Sequence, residues 1–381
     1  MFFDSLFRAG AGLLLAACAS LALAQNPPAP VLNAKAWLLL DMSSGQVLAS
    51  QNPGERIEPA SLTKLMTAYL AFSALKAKTI TPEQVVAVSE KAWKAIGSRM
   101  FIEPRKAVTV AELLRGMIVQ SGNDACVALA ELIAGSEESF AAAMNREAQR
   151  LGLKATNFRN STGLPDPQHF TTADDLALLA GAIIRDFPEF YALYSLKDYS
   201  YNGITQSNRN RLLWMDPNVD GMKTGFTEAA GYCLIASAKR GPRRLLSVVL
   251  GAQSESARAT ESQKLLNFGF LNFDAVRLYE KGSRVSSLAV WKGSVRELKA
   301  GFDRDLFVTV PRGQADRVKA TLISQKPLLA PVALNQTVGN MKVTIDGREI
   351  ASVPVLALEK IDGAGVFGRA FDTLRLWFVK N

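Results

Sequence analysis

The sequence predicts an α+β domain, an antiparallel sheet with a helical cluster, followed by a small all-β domain and a C-terminal amphipathic helix. Three observations point there. Strand-like apolar runs open and close the first 275 residues, and helical periodicity fills the middle. From about residue 276, short alternating runs separated by Gly, Pro and charged turns take over. The last sixteen residues place apolar and polar side chains on opposite faces of a helical wheel.

With 381 residues, the chain has room for two domains. Hydrophobic residues at 48% and charged residues at 21% suit a folded soluble protein. The formal charge of +9 admits nucleic acid, an anionic membrane surface or an acidic polymer as partner. Zinc-finger spacing, an aromatic RNA-binding signature and dense Lys/Arg blocks are all missing from the sequence, so the charge does not select nucleic acid.

The first thirty residues, "MFFDSLFRAGAGLLLAACASLALAQNPPAP", set the compartment. Arg8 precedes an uncharged apolar stretch from Ala9 to Ala24, and a Pro-rich segment follows. Ala22-Leu23-Ala24 fits a signal-peptidase site before Gln25, so residues 1–24 read as a signal peptide despite Asp4. The stretch is shorter than a usual membrane span. Leu15-Ala16-Ala17-Cys18 offers a competing lipoprotein box, but the apolar run continues past Cys18 to the second site, which favours plain secretion. Cleavage leaves Cys126 and Cys233 in apolar contexts, "DACVALA" and "GYCLIAS". They read as buried free thiols, a bridge between them being the alternative.

Within the first domain, taken as 25–275, "AWLLLDMSSGQVLAS" reads as a hairpin around a Ser-Ser-Gly turn. Leu62, Leu65, Met66, Tyr69, Leu70 and Phe72 recur at helical spacing over 61–77. Further helices are expected at 110–120, 123–134, 137–151 and 172–186, the last capped by Thr172 with Asp175. "GYCLIASAK" and "RRLLSVVLGA" are strand-like, and a helix follows near 256–268. The hairpin can join these strands in one antiparallel sheet. The β domain, taken as 276–360, holds "SRVSSLAVWKG", "RDLFVTVPRG", "KATLISQ", "MKVTIDGREI" and "SVPVLALE". In the terminal segment, taken as 361–381, Phe367, Ala370, Phe371, Leu374, Trp377 and Phe378 share one helical face. Arg369, Asp372, Thr373 and Lys380 take the other, with Leu376 out of place. Arg369, Arg375 and Lys380 against Asp372 leave a charge of +2, which suits anionic lipid. An in-plane membrane anchor is favoured over a helix docked on the β domain.

The chemistry begins in "EPASLTKLMTAY". An alcohol is a poor nucleophile at pH 7 and needs a base within hydrogen-bond reach. If a helix begins at or just after Ser61, Lys64 lies one turn away on the same face. A lysine acts as a base only where burial or neighbouring cations lower its pKa. The helix start also offers unpaired N–H groups for a developing oxyanion. His169 is the single histidine in the chain and lies in "GLPDPQHFTT", with no G-x-S-x-G elbow anywhere, so it reads as a loop or packing residue. Zinc sites of the H-E-x-x-H type are excluded.

By itself S-x-x-K is weak, since Ser73–Lys76 repeats it inside the expected helix. S-x-N is weaker still, with matches at Ser50, Ser121 and Ser200. Context adds weight. "MIVQSGNDACVALA" places Ser121 and Asn123 in a break between helices, where residues two apart can point into one cleft. "NVDGMKTGFTEAAGY" holds Lys223-Thr224-Gly225 on an extended run. There Lys223 and Gly225 share a face, and the absent side chain is expected to let a substrate backbone approach.

In that order, Ser61-x-x-Lys64, Ser121-Gly122-Asn123 and Lys223-Thr224-Gly225 resemble the three motifs of the penicillin-binding and serine β-lactamase superfamily. "NGITQSNRNRLLW", "NVDGMKTGFT", "QKLLNFGF" and "VTVPRGQ" narrow the resemblance to low-molecular-weight penicillin-binding proteins, the D-alanyl-D-alanine carboxypeptidases. The likeness spans almost all the mature chain. It implies a β-lactamase/transpeptidase-like first domain, no cofactor and no metal. The implied partners are peptidoglycan stem peptides and β-lactam antibiotics. The implied location is the periplasm, on the outer face of the inner membrane through the C-terminal helix. It further implies that Ser61 attacks the penultimate D-Ala carbonyl, Lys64 takes its proton, and Ser121, bridged to Lys223, relays a proton to the leaving amine. Asn123 would hold the substrate backbone, Thr224 and Arg258 the terminal carboxylate, and the N–H groups of Ser61 and Phe226 the oxyanion. The bland reading of Arg258 is a surface arginine on a helix. Phe226 departs from members with histidine after K-T-G, which bears on carboxylate recognition and deacylation.

Three rivals remain in the sequence. A DD-endopeptidase uses the same chemistry on crosslinks. A class A β-lactamase needs a deacylating glutamate, and no E-x-x-L-N-like segment lies between Asn123 and Lys223. A non-enzymatic wall-binding protein would keep its function in Ser61→Ala.

Overall fold

The computed structural model describes residues 27–379. The expected signal peptide, with its competing site at Cys18, lies outside the described residues. So do Lys380 and the side chains of Leu376, Trp377 and Phe378.

The N-terminal hairpin forms as strands β1 (Ala36–Asp41) and β2 (Gln46–Gln51). It joins β3 (Val219–Thr227), β4 (Gly231–Arg240) and β5 (Arg243–Ala252) in an antiparallel sheet of order β2-β1-β5-β4-β3. Strand β1 is inserted beside β5, with Leu38 opposite Val248, so the first and last segments of the domain share one ladder. The K-T-G segment lies within β3, with Lys223 opposite Ile235. Between hairpin and sheet run α1 (Lys64–Lys76), α2 (Val110–Val119), α3 (Asn123–Ala134), α4 (Glu137–Leu151) and α5 (Ala173–Asp186). Their limits follow local chemistry. Thr109 and Glu112 close a reciprocal capping box on α2, and Thr172 Oγ1 accepts from the Asp175 N–H at the start of α5. Helix α6 (Glu255–Asn272) crosses the other face of the sheet.

Two cores result. Leu39, Leu234, Val249, Leu265 and Leu266 pack the α6 side, while Leu38, Val248 and the helical cluster pack the other. Helix α1 is the centre of that cluster. Leu65, Met66, Ala68, Tyr69, Ala71 and Phe72 are all buried, so it is enclosed on every side rather than amphipathic. Lys64 enters this apolar environment as its first residue. Both cysteines are buried and free.

The second domain starts with β6 (Phe273–Tyr279), which follows α6 directly and pairs with β9 (Leu306–Pro311). A six-stranded sheet comprises β7 (Ser286–Trp291), β8 (Glu297–Gly301), β10 (Val318–Ser324), β11 (Leu328–Leu329), β12 (Thr337–Ile345) and β13 (Arg348–Ala357). Its order is β10-β12-β13-β8-β7-β11. The two domains are clasped at Thr309. Its N–H donates to Gln46 Oε1 (2.6 Å), and its hydroxyl donates to Asp41 Oδ2 (2.9 Å). The same carboxylate pairs with Arg243 (2.8 Å), which also reaches the Phe273 carbonyl (2.6 Å).

Helix α7 (Val366–Val379) closes the chain. It meets the β domain through its polar side, where the Lys292 N–H donates to Asp372 (2.6 Å) and Arg375 lies 5.9 Å from the Trp291 ring centre. Phe367, Phe371 and Leu374 point away, with 92%, 56% and 64% of their surface exposed. Docking on the β domain and an unpartnered apolar face therefore coexist. No helix among the described residues is long and apolar enough to cross a membrane.

Candidate active site

Ser61 does not begin the α-helix. It sits in a 3₁₀ turn, Ala60–Thr63, entered through Ala60 in the left-handed region (φ 49°). The turn packs against β3 at Gly225. A Cβ there would lie 3.2 Å from Pro59 O, Ala60 Cβ and Leu62 Cγ. The expectation that this glycine makes room for a substrate backbone is thus corrected: the room is taken by the chain's own serine turn. The physical need is the same, close backbone approach, but the partner differs.

Lys64 Nζ donates to Ser61 Oγ (3.0 Å), Asn123 Oδ1 (2.7 Å) and the Thr162 carbonyl (2.6 Å). Burial lowers its pKa to about 8, helped by the Arg209 charge and opposed by Cys126 and Asp124. The neutral, basic amine is therefore far more accessible at pH 7 than it is for an exposed lysine. The second S-x-x-K pair takes no part. Lys76 ends α1 and donates to the Asp186 carbonyl (2.8 Å) at an exposed position.

Ser121 lies in the break between α2 and α3, itself left-handed at φ 60°. That conformation is costly for a non-glycine residue and turns the hydroxyl inward. Lys223 Nζ reaches its Oγ (3.0 Å) and the Thr224 carbonyl (3.0 Å). Burial, then the Lys64 and Arg209 charges, hold the Lys223 pKa well below the usual lysine range. Asn123 is the first residue of α3, and its amide is engaged at both ends: Oδ1 faces Lys64, and Nδ2 donates to the Ile96 carbonyl (2.6 Å). As found, it orients the lysine, and the second N–H of Nδ2 is left over after the bond to Ile96. Gly97 (φ 82°) keeps this contact open, since a Cβ would stand 2.8 Å from Nδ2.

Arg258 is buried, which removes the surface-arginine reading. Its guanidinium donates to the Gly225 carbonyl (3.3 Å) and pairs with Glu255 (3.1 Å), tying α6 to the K-T-G strand. Thr224 is buried beside it. Phe226 is 44% exposed and leans on Tyr232, with ring centres 4.4 Å apart. His169 is buried against Phe158, and its Nε2 lies 3.0 Å from Thr63 Oγ1. Desolvation lowers its pKa to about 4, so the ring is neutral and supports the serine turn from outside.

Three contributors escaped the motif reading. Thr162 acts through a backbone carbonyl, which has no side-chain signature. Asp124 accepts from the Met100, Phe101 and Ile102 N–H groups (3.0, 2.8 and 3.2 Å) and fixes the loop that holds Asn123. Arg209 is exposed, yet its charge acts on Lys64, Lys223 and Arg258 together. Its only signal was its place in "NGITQSNRNRLLW".

A family model described as D-alanyl-D-alanine carboxypeptidase matches residues 23–254, and one described as penicillin-binding protein 5, C-terminal domain, matches residues 273–362. The chain is 44% identical over 375 residues to D-alanyl-D-alanine carboxypeptidase DacC of Escherichia coli, covering 96% of this chain and 94% of that one. DacA of Haemophilus influenzae is 43% identical over 353 residues, covering 91% and 90%. Among solved structures, penicillin binding protein 5 from Haemophilus influenzae superposes with a TM-score of 0.84 at 43% identity, covering 88% of this chain and 99% of that one. Penicillin-binding protein D2 from Listeria monocytogenes in its ampicillin-bound form gives 0.59 at 31% identity, covering 64% and 100%. Two matching family models and relatives aligned along nearly their whole length lead to one conclusion: the chain belongs to the D-alanyl-D-alanine carboxypeptidase family of penicillin-binding proteins.

Proposed function

We propose that this serine peptidase removes the terminal D-alanine from peptidoglycan stem pentapeptides, with Ser61 as nucleophile and Lys64 as its base. The observation that carries the reading is the 3.0 Å contact between Lys64 Nζ and Ser61 Oγ, at a lysine whose pKa burial brings down to about 8. Ser61 Oγ attacks the penultimate D-Ala carbonyl carbon and gives its proton to Lys64 Nζ. The carbonyl oxygen becomes an oxyanion, received by the Ser61 and Phe226 N–H groups. The C–N bond then breaks. The leaving amine takes that proton from Lys64 through the Ser121 hydroxyl, which Lys223 holds by hydrogen bond, and Lys64 is neutral again. Water attacks the ester carbonyl and gives a proton to Lys64, which passes it to Ser61 Oγ as the C–Oγ bond breaks, restoring the hydroxyl and the neutral amine. Thr224 and the cationic Arg258 receive the substrate's terminal carboxylate, a pairing suited to a guanidinium.

The same serine opens a β-lactam ring and keeps it as a stable ester, and the ampicillin-bound Listeria relative supports this extension. The protein is exported to the periplasm and held at the membrane surface by α7, whose exposed Phe367, Phe371 and Leu374 support that reading. A fluorescent penicillin is expected to label the wild type covalently, with the adduct on Ser61 by peptide mass spectrometry. A folded wild type that takes no label, or a Ser61→Ala variant labelled equally, overturns the assignment.

A further inference from the structure

The three partners of Lys64 differ in kind. Asn123 Oδ1 (2.7 Å) and the Thr162 carbonyl (2.6 Å) can only accept hydrogen bonds, whereas Ser61 Oγ (3.0 Å) can accept or donate. An ammonium group satisfies all three with its three hydrogens. The neutral amine keeps two hydrogens and one lone pair. The two hydrogens go to the two carbonyl oxygens, and the lone pair is left facing the serine hydroxyl. We propose that the Thr162 carbonyl is the second of two pins that aim the Lys64 lone pair at Ser61, and that Asn160 is the positioning residue that holds this carbonyl in place.

The geometry of one peptide unit supports this. In a trans peptide the carbonyl and the following N–H point in opposite directions. The Thr162 carbonyl faces Lys64, and the Gly163 N–H on the other side donates to Asn160 Oδ1 at 2.7 Å. Turning the carbonyl away from the lysine breaks that bond. The same Oδ1 accepts from the Thr162 N–H (3.2 Å) and hydroxyl (3.0 Å), and Asn160 Nδ2 donates to the Leu164 carbonyl (3.0 Å). The loop is pinned from two further sides. Glu137 Oε1 accepts from Ser161 Oγ (2.8 Å), and Thr67 on α1 donates to the Ser161 carbonyl (2.6 Å). Gly163 (φ 86°) presses on the serine turn so closely that a Cβ would fall 1.7 Å from Ala60 O. Nucleophile turn, base and carbonyl loop thus form one unit.

The inference rests on the Ser61–Lys64 reading above. Its test is the second-order rate of penicillin acylation against pH, which follows ionisations of the free enzyme. The wild type should rise through a limb near pH 8, the value to which burial brings Lys64. Asn160→Ala should lower the plateau by about tenfold or more. Its limb should move to lower pH, because an accepting carbonyl favours the charged lysine and is lost. Asn160→Asp keeps an acceptor for the Gly163 N–H and should recover most of the plateau, with the limb moved upward by its charge. A purely structural role predicts a lower alanine plateau with an unmoved limb, and that result overturns the proposal, as does an alanine variant as fast as wild type. If thermal melting shows the alanine variant unfolded, the aspartate plateau decides alone, and a folded aspartate variant that has lost the plateau is fatal. A wild type that is never acylated defeats the Ser61 assignment instead, so the two failures are distinguishable.

Discussion

At the scale of residues, the proposed mechanism needs no histidine, because burial deprives the Lys64 amine of water. Lys64 and Lys223 are both buried, and both are pushed toward neutrality by that burial. His169 illustrates the opposite use of an ionisable group. Its folded pKa of about 4 lies below the ordinary 6.5, so between these values the unfolded chain binds a proton that the native state refuses. The His169 contribution to stability therefore falls as pH drops from about 6.5 toward 4, by an amount on the order of 3 kcal/mol. His169→Gln should flatten this segment of the pH–stability curve, measured by urea denaturation at several pH values, while penicillin labelling persists. A curve as steep as that of the wild type would show that another group is responsible. Ser61, Lys64, Ser121, Asn123 and Lys223 were legible because their three motifs, in that order, resemble those of a known family, although each motif alone is weak. Asn160 and the Thr162 carbonyl were not, since an Asn-Ser-Thr-Gly run reads first as a turn and a carbonyl carries no identity.

At the scale of elements, the site lies where two backbone irregularities, the 3₁₀ turn at Ser61 and the α2–α3 break at Ser121, converge on strand β3. Caps and periodicity revealed most helices in the sequence, and the break at Ser121 followed from them. The character of α1 did not follow, because a helix buried all round has no polar stripe to betray its face. Nor did the role of Gly225, which depends on the turn at Pro59–Leu62, far earlier in the chain, coming to lie against β3. Gly225→Ala should force these elements apart. It is expected to cost about 1–3 kcal/mol of stability by overpacking. Displacement of Ser61 relative to Lys64 is expected to slow acylation roughly 10–100-fold. Melting temperature and acylation rate measured together check this, and an unchanged acylation rate would mean that the turn tolerates the extra methyl group.

At the scale of the whole molecule, the Thr309 clasp joins the sheet of the first domain to the β domain through one buried and one part-buried hydrogen bond, and α7 meets that domain through Asp372. The alternating texture of the β domain was visible in the sequence. Its junction was not, because Thr309 and Gln46 lie far apart along the chain and neither marks a motif. Removing residues 366–381 should release the protein from membranes, scored by fractionation, while hydrolysis of a soluble peptide continues. Retention on the membrane would defeat the anchor or redirect attention to Cys18. The most direct measurement of the central claim is product analysis of a purified stem pentapeptide after incubation with wild type and with Ser61→Ala. The account predicts free D-alanine and tetrapeptide in equal amounts from the wild type and neither from the variant. Intact pentapeptide with the wild type, or equal release by the variant, would contradict it.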